Sequence, residues 1–356
     1  MELIDFKNLK PEELNSYFVS LGENKFRSQQ LIEWMFKKRV SSFDDMSNFS
    51  KTLREQLKKD GYLSGLKLVT TQSSQDETRK FLFELEDCET VETVLMPHRS
   101  SEGGGRMTLC VSTQVGCRMG CKFCLTASQG LVRHLKCSEI LNQISEVQEL
   151  LESGILKETP FEDLEKITNI VMMGMGEPLD NFDNVLRALG YITGDRAFEI
   201  PAKRVTVSTS GLVTKIEELG QKSNVNLAIS LNASTNPTRS EIMPINKPYP
   251  IEKLMDVTKK FYTENKRRKI MFEYVLLKDV NDSEQDAHQL AKHLRGTAFK
   301  VNLIPFNEHP KLPYKQPSQE RIEKFQDILK KNKIFSFIRW SKGRDISAAC
   351  GQLRSP

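Results

Sequence analysis

From Met107 onward the chain alternates short β-branched apolar runs with longer segments whose apolar positions recur every three or four residues. The runs MTLCVST (107–113), NIVMMG (169–174), RVTVSTS (204–210), VNLAISL (225–231), KIMFEYVLL (269–277) and KVNLIPF (300–306) predict strands buried on both faces. Between them, CSEILNQISEVQELLESG (137–154), NFDNVLRALGYIT (181–193), LVTKIEELGQ (212–221), PIEKLMDVTKKFYTE (250–264) and SEQDAHQLAKHL (283–294) predict amphipathic helices. A last helix, SQERIEKFQDILKKN (318–332), and a last strand, FSFIRWS (335–341), lead into GRDISAACGQL (343–353). Six β-α repeats imply parallel strands. Short polar or glycine-containing segments follow every strand, which favours an α/β fold built as a six-strand barrel over a doubly wound sheet.

The first hundred residues follow a different period. KPEELNSYFVSLG (10–22) and RSQQLIEWMFKKR (27–39) predict helices, and RKFLFELED (79–87) with ETVETVLMP (89–97) predicts a strand pair. HRSSEGGGR (98–106) carries three consecutive glycines and reads as a turn or linker. A helical N-terminal unit with a strand pair is therefore expected over 1–95, and the barrel over 96–356.

With 38% hydrophobic and 28% charged residues the chain is ordinary globular protein, and no run approaches the roughly 18 apolar residues of a membrane span. MELIDFKNLKPEEL at the N-terminus has neither a basic n-region nor an apolar h-region, so the cytoplasm is expected. Seven cysteines without an export signal point to reduced thiols with metal or reactive roles. A net charge of +5 decides little at this length. The basic clusters at 37–39 in FKKRV, 266–269 in NKRRKI and 330–333 in LKKNK are candidates for phosphate contact, although a solvated helix end explains each alone.

Three cysteines, Cys117, Cys121 and Cys124, stand in GCRMGCKFC. Their spacing fits one face of a helix, but Gly116 and Gly120 make the segment a loop after the strand TLCVST. A structural zinc site usually adds a second CxxC pair or histidines, and His134 is poorly spaced as a fourth ligand. An iron–sulfur cluster held by three thiolates would keep one iron open to a small molecule. Gly174, Gly176 and Glu177 in VMMGMGEPLDN, Ser208 in STSG, Ser230 and Asn232 in SLNAS, and Asn307 in LIPFNEH all end strands on the same side of the predicted barrel. Glycines there permit close approach to a ligand, and the polar side chains can donate to and accept from one. Cys110, on a strand, reads first as a small buried hydrophobe, whereas Cys350 lies between alanines and a glycine in an accessible tail. Cys88 and Cys137 read as structural, and Glu92 as an ordinary strand carboxylate.

CxxxCxxC with Phe123 before its third cysteine resembles the signature of radical S-adenosylmethionine (SAM) enzymes. CRMGCKFC, MGMGEPL, STSG, MPINK, EYVLL, LIPFN and CGQL, in this order, resemble the RlmN family of radical SAM adenine methyltransferases, from about Glu92 to Leu353 with a weaker match before it. The resemblance implies a partial (β/α)6 barrel and a [4Fe–4S] cluster on Cys117, Cys121 and Cys124 with an open fourth iron. It implies two SAM molecules per turnover, contacted by Gly176, Glu177, Ser208, Ser230, Leu231, Asn232 and Asn307. The implied reaction methylates carbon 2 of an adenine in the peptidyl-transferase centre of 23S rRNA, and of the adenine 3′ to the anticodon in tRNA. Cys350 would accept a methyl group from one SAM, and a 5′-deoxyadenosyl radical from a second would abstract hydrogen from it. The resulting methylene radical would add to adenine, Cys110 would release the product through a transient disulfide, and Glu92 would accept the proton. An electron donor such as a flavodoxin and a monomeric state are also implied.

Asn232 departs from the family, many of whose members carry histidine there. The chain stops three residues after Leu353, so RNA grip is expected from the N-terminal helices and the basic clusters. Two rivals remain: a Cfr-type carbon-8 methyltransferase, against which Pro178 speaks, and a non-catalytic metal-binding RNA-binding protein.

Overall fold

Residues 3–99, 104–264 and 269–354 are described in the computed structural model, with side chains omitted for 262–264. Near the N-terminus β1 (Ile4–Asp5) precedes α1 (Pro11–Ser20), α2 (Phe26–Ile32), a π-helical turn at Glu33–Lys37, and α3 (Lys51–Asp60). Pro11 opens α1, and Glu13 reaches back to accept the Lys10 N–H at 2.6 Å, satisfying a backbone donor that the helix leaves orphaned. Ser50 caps α3 in a related way, accepting from the Leu53 N–H at 3.2 Å. The helices bury Leu14, Phe18, Leu53 and Leu57 in an apolar core that continues into the barrel, and β2 (Gly61–Tyr62) returns to pair with β1 in parallel.

Next come β3 (Lys67–Ser73), β4 (Arg79–Glu84), β5 (Thr90–Arg99) and β6 (Gly105–Cys110), paired antiparallel in sequence order. A separate hairpin, β7 (Gln114–Cys117) and β8 (Gly130–His134), flanks the short α4 (Leu125–Ser128) and precedes α5 (Cys137–Glu152). The repeats then run β9 (Asn169–Met172), α6 (Phe182–Thr193), β10 (Val205–Thr209), α7 (Val213–Lys222), β11 (Asn226–Ser230), α8 (Asn236–Ile242) and α9 (Ile251–Glu264). They finish with β12 (Ile270–Leu276), α10 (Glu284–Leu294), β13 (Lys300–Pro305), α11 (Gln319–Lys331) and β14 (Phe335–Ile338). One ten-stranded sheet takes the order β14-β13-β12-β11-β10-β9-β6-β5-β4-β3, parallel from β14 to β6.

All six predicted barrel strands form, and each pairs with the next in sequence, as βα repeats without a reversal of strand order require. Among the described residues the edges β14 and β3 do not pair with each other, so the barrel is open. HRSSEGGGR connects the β5–β6 hairpin, where Pro97 faces Met107 and Arg99 faces Gly105; its residues 100–103 lie outside the described residues. The division expected after residue 95 falls inside β5, which pairs on both sides. The N-terminal helices dock on the barrel helices: Lys7 Nζ donates to Asn142 Oδ1 at 3.0 Å, the Tyr191 hydroxyl donates to Leu9 O at 2.7 Å, and the Phe36 and Tyr191 rings lie 4.9 Å apart.

Among the elements that the pattern did not announce are β3, α8 and β7. β3 is exposed along its whole length, so it shows no apolar alternation. α8 is seven residues with Pro237 in its first turn, too short for a helical period. The predicted strand 107–113 ends at Cys110, and the chain starts a new strand at Gln114, so Cys117 ends β7 rather than lying free in a loop.

Candidate active site

The strand ends that follow β9 to β13 line one cavity, together with the segment after β7 and the C-terminal tail. After β9 the chain passes so close to β6 and β7 that side chains do not fit. A Cβ on Gly174 would meet Val111 O at 2.7 Å, and one on Gly176, at φ +104°, would meet Gln114 Cβ at 2.6 Å. Glu177 follows, buried, donating its own N–H to Gln114 Oε1 at 2.7 Å. Its carboxylate accepts the Ser210 N–H at 2.7 Å and the Leu179 N–H at 3.1 Å. Burial pushes its pKa up and these donors pull it back. The carboxylate thus ties the turn after β9 to the turn after β10.

Cys117, Cys121 and Cys124 all line this cavity. Lys122 N donates to Ile242 O at 2.9 Å and Cys124 N to Cys121 O at 3.1 Å, so the loop is pinned to α8 and folded on itself. Burial raises all three thiols, Cys117 to about 12, and Cys121 is raised further by Cys124, Cys117 and Glu177. Such thiols stay neutral until a cationic group compensates their charge, as bound iron does. Among the described residues no three His, Cys, Asp or Glu side chains gather closely enough to hold a single metal ion. One tetrahedral zinc would draw its thiolates to about 3.8 Å of one another. A cluster several atoms across fits the wider arrangement of three thiols around one cavity.

Ser208, Ser230, Asn232 and Asn307 also line the cavity. Asn232 sits at φ +56°, a region asparagine tolerates better than most residues. Its Oδ1 accepts the Val275 N–H at 2.8 Å and its Nδ2 reaches the Met243 sulfur at 3.3 Å, so the side chain braces the wall. Leu231 does not line the cavity: its side chain is in the core, and its carbonyl accepts from Arg239 Nε at 3.0 Å.

Cys110 and Cys350 open onto an adjoining chamber shared with Val94, Met173 and Arg339. Cys110 is buried, and desolvation with the nearby Cys350 pushes its thiol up to about 12. Cys350 is exposed towards the cavities; enclosure of its thiol raises it, and Arg339 opposes the rise. The tail is tied down around it. Leu125 N donates to Gly351 O at 2.7 Å, and Arg354 N donates to Glu92 Oε2 at 2.8 Å. Glu92 lines neither cavity. Its other oxygen pairs with Lys80 Nζ at 2.8 Å. It lies two residues from Val94, the ladder partner of Cys110, and therefore on the same face of β5.

Two wall residues escaped sequence reasoning. Glu273, within the EYVLL motif, is buried, accepts from Asn302 Nδ2 at 3.0 Å, and keeps Oε2 without a hydrogen bond, 3.9 Å from Arg339 Nη1. Arg239 is fully buried, holding four neutral oxygens. Neither shows a signal beyond charge inside an apolar run or a short polar segment.

Residues 4–62 match the ribosomal RNA large subunit methyltransferase N-terminal domain, and residues 111–291 match the radical SAM superfamily. A dual-specificity RNA methyltransferase RlmN from Syntrophotalea carbinolica is 46% identical over 351 residues, 99% of this chain and 90% of its own. The chain belongs to the RlmN family. Another RlmN relative, from Desulfosudis oleivorans, is 49% identical over 92% of this chain and 84% of its own. The crystal structure of a radical SAM methyltransferase from Sphaerobacter thermophilus superposes with a TM-score of 0.88 at 38% identity, covering 98% of both chains. The fold is therefore the mixed α/β radical SAM fold with an N-terminal domain, as the motifs implied. Membership in the RlmN family implies a [4Fe–4S] cluster and SAM. Among the described residues no helix is long and apolar enough to cross a membrane.

Proposed function

We propose that this chain is a SAM-dependent RNA methyltransferase that methylates carbon 2 of adenine in 23S rRNA and tRNA through a methylated cysteine. One observation carries the reading: Cys350 opens onto both the three-cysteine cavity and the chamber that holds Cys110. A metal-binding RNA-binding protein has no use for a second pair of thiols beside the first three. The curated relatives above are named RlmN, and Pro178 follows Glu177 here, which favours carbon 2 over the carbon-8 chemistry of Cfr-type enzymes.

A [4Fe–4S] cluster on Cys117, Cys121 and Cys124 would supply the electron that cleaves SAM to a 5′-deoxyadenosyl radical. Gly174 and Gly176 let the turn after β9 lie close against the segment that follows β6, and Glu177, Ser208, Ser230, Asn232 and Asn307 offer SAM polar contacts from several strand ends. Cys350 takes the methyl group on sulfur, its thiol proton being lost; Arg339 beside it lowers the cost of the thiolate. Adenine carbon 2 is no nucleophile, so the carbon must pass from Cys350 to the base by a radical route. Cys110, as thiolate, then attacks the Cys350 sulfur, forming a disulfide as the bond from that sulfur to the RNA-bound carbon breaks; the electron pair stays on that carbon, which takes up a proton to become the methyl group. Glu92, on the face of β5 that carries Val94 towards Cys110, takes the proton from the base. The disulfide must be reduced before the next turnover. All seven cysteines are free here, which suits a reducing cytoplasm. A flavodoxin-class donor and a monomer complete the reading.

Mass spectrometry of adenines in rRNA and tRNA from cells with and without the gene tests it. The expected result is loss of 2-methyladenine; methylation confined to carbon 8 would overturn it. Cys110→Ala should trap a protein–RNA crosslink, because the thiol that resolves it is gone, and recovery of free RNA alone would remove Cys110 from the scheme.

A further inference from the structure

Strand β14 is an edge of the sheet and carries Phe335 and Phe337, 70% and 49% exposed, with Trp340 just beyond at 43%. The strand period places Phe335, Phe337 and Arg339 on one face. Register identifies that face. Phe335 pairs with Lys300 and Phe337 with Asn302 on β13, and Asn302 reaches the cavity residue Glu273. Arg339 lines the chamber of Cys110 and Cys350. The exposed rings therefore lie on the inner face of the open barrel, in a row that ends at the reactive cysteines. The other face of β14 is occupied, because Ser336 is buried and its carbonyl accepts from Gln326 of α11 at 3.0 Å.

Aromatic side chains on the inner face of a barrel normally fill its core, and an uncovered apolar edge strand invites association. What surrounds these rings is cationic. Lys300 Nζ stands 5.8 Å from the Phe337 ring centroid, and Lys331 and Lys333 are exposed immediately before the strand. The segment KKNKIFSFIRW (330–340) thus interleaves lysines and an arginine with three aromatics. Cations that neutralise phosphates, beside rings that take the faces of unpaired bases, make the surface single-stranded RNA needs. A duplex offers no free base faces, and an apolar protein partner gains nothing from the lysines.

We propose that the β14 edge is a stacking platform for unpaired RNA bases next to the target adenine, with Phe335 and Phe337 holding bases and Lys331 and Lys333 holding phosphates. This rests on the RNA methyltransferase reading above. The platform keeps the neighbouring nucleotides on the inner face while the target base reaches Cys350.

Fluorescence anisotropy of a labelled tRNA anticodon stem-loop transcript, with the full reconstituted chain across a salt series, tests the proposal. Phe335→Ala and Phe337→Ala should each raise Kd roughly tenfold, and Lys331→Gln and Lys333→Gln should each reduce the salt slope by about one. SAM binding and circular dichroism should not change, because these side chains are exposed and lie outside the SAM cavity. Unchanged Kd and slope in all four variants would overturn the platform. It would also be overturned if RNA affinity stayed intact while the aromatic variants lost self-association in sedimentation or were reduced more slowly by flavodoxin. Tight binding by the wild type without 2-methyladenine in the product would instead refute the assigned reaction, leaving the platform to the Kd comparison.

Discussion

Arg239 is among the largest fully buried side chains in the molecule, and among the described residues no carboxylate pairs with its charge. Its Nε donates to Leu231 O, its Nη1 to Asn246 Oδ1 at 3.0 Å, and its Nη2 to Ser210 O at 2.6 Å and Ser230 O at 3.2 Å. Desolvation lowers its pKa to about 10, so it remains charged at neutral pH. Three of those oxygens belong to the turns after β10 and β11, which line the cavity or stand behind it. Arg239→Met would leave them unpaired in the wall, and the expected loss is about 3 kcal/mol in urea denaturation. Gly211 is bound to the same site, since a Cβ there, at φ +116°, would press on Arg239 Nη2 at 3.2 Å. Gly176→Ala should lower folding stability, measured by urea denaturation, because at φ +104° its Cβ would press on Gln114 Cβ at 2.6 Å and on the Gln114 backbone N at 2.9 Å. At this scale the motif residues were legible and the clamp was not. A glycine or cysteine at a fixed spacing announces its chemistry locally, whereas the value of Arg239 depends on carbonyls from two distant strands.

The helix α5 shows how competing terms are weighed along one element. Cys137 is its first residue, where the helix dipole favours a thiolate, yet burial dominates and pushes the thiol from near 9 up to about 12. The folded state therefore holds this proton where the unfolded chain has lost it. Its contribution to stability is full below pH 9 and is lost as pH rises towards 12. Cys137→Ala should flatten the alkaline fall in Tm across that window relative to the wild type, at the cost of a small cavity at neutral pH; an unchanged slope would show that burial does not govern this thiol. The hairpin β7–β8 makes a second point. Gly116, at φ +71°, lies against Gly130, whose carbonyl would sit 1.9 Å from a Cβ at position 116. No alternating apolar pattern announces such a short strand, so Cys117 was expected in a loop.

Across the whole molecule, the C-terminal tail joins parts of the chain that sequence holds far apart. Asp345 accepts from Ser74 Oγ at 2.5 Å and from Gln75 N at 3.1 Å, Gly343 N donates to Asp76 Oδ2 at 3.1 Å, and Lys342 Nζ donates to Pro97 O at 2.6 Å. These bonds fasten the segment before Cys350 to the β3–β4 turn and to β5. Asp345 is exposed, so Asp345→Ala should leave global stability nearly unchanged in urea denaturation. It should nevertheless speed hydrogen exchange at 343–354 and slow methylation of Cys350, both followed by mass spectrometry; a tail as protected as the wild type would show that the remaining bonds suffice. Six barrel strands, the longer helices between them, the three-cysteine motif and the family were all contained in the sequence. Their signals are periodicity and spacing, which act over a few residues and survive without knowledge of the fold. The open edge of the barrel, the orphan oxygen of Glu273, the burial of Arg239 and the placing of Cys350 beside Cys110 were decided by the tertiary structure alone. They depend on which distant segments share a wall, and on the desolvation of charges there.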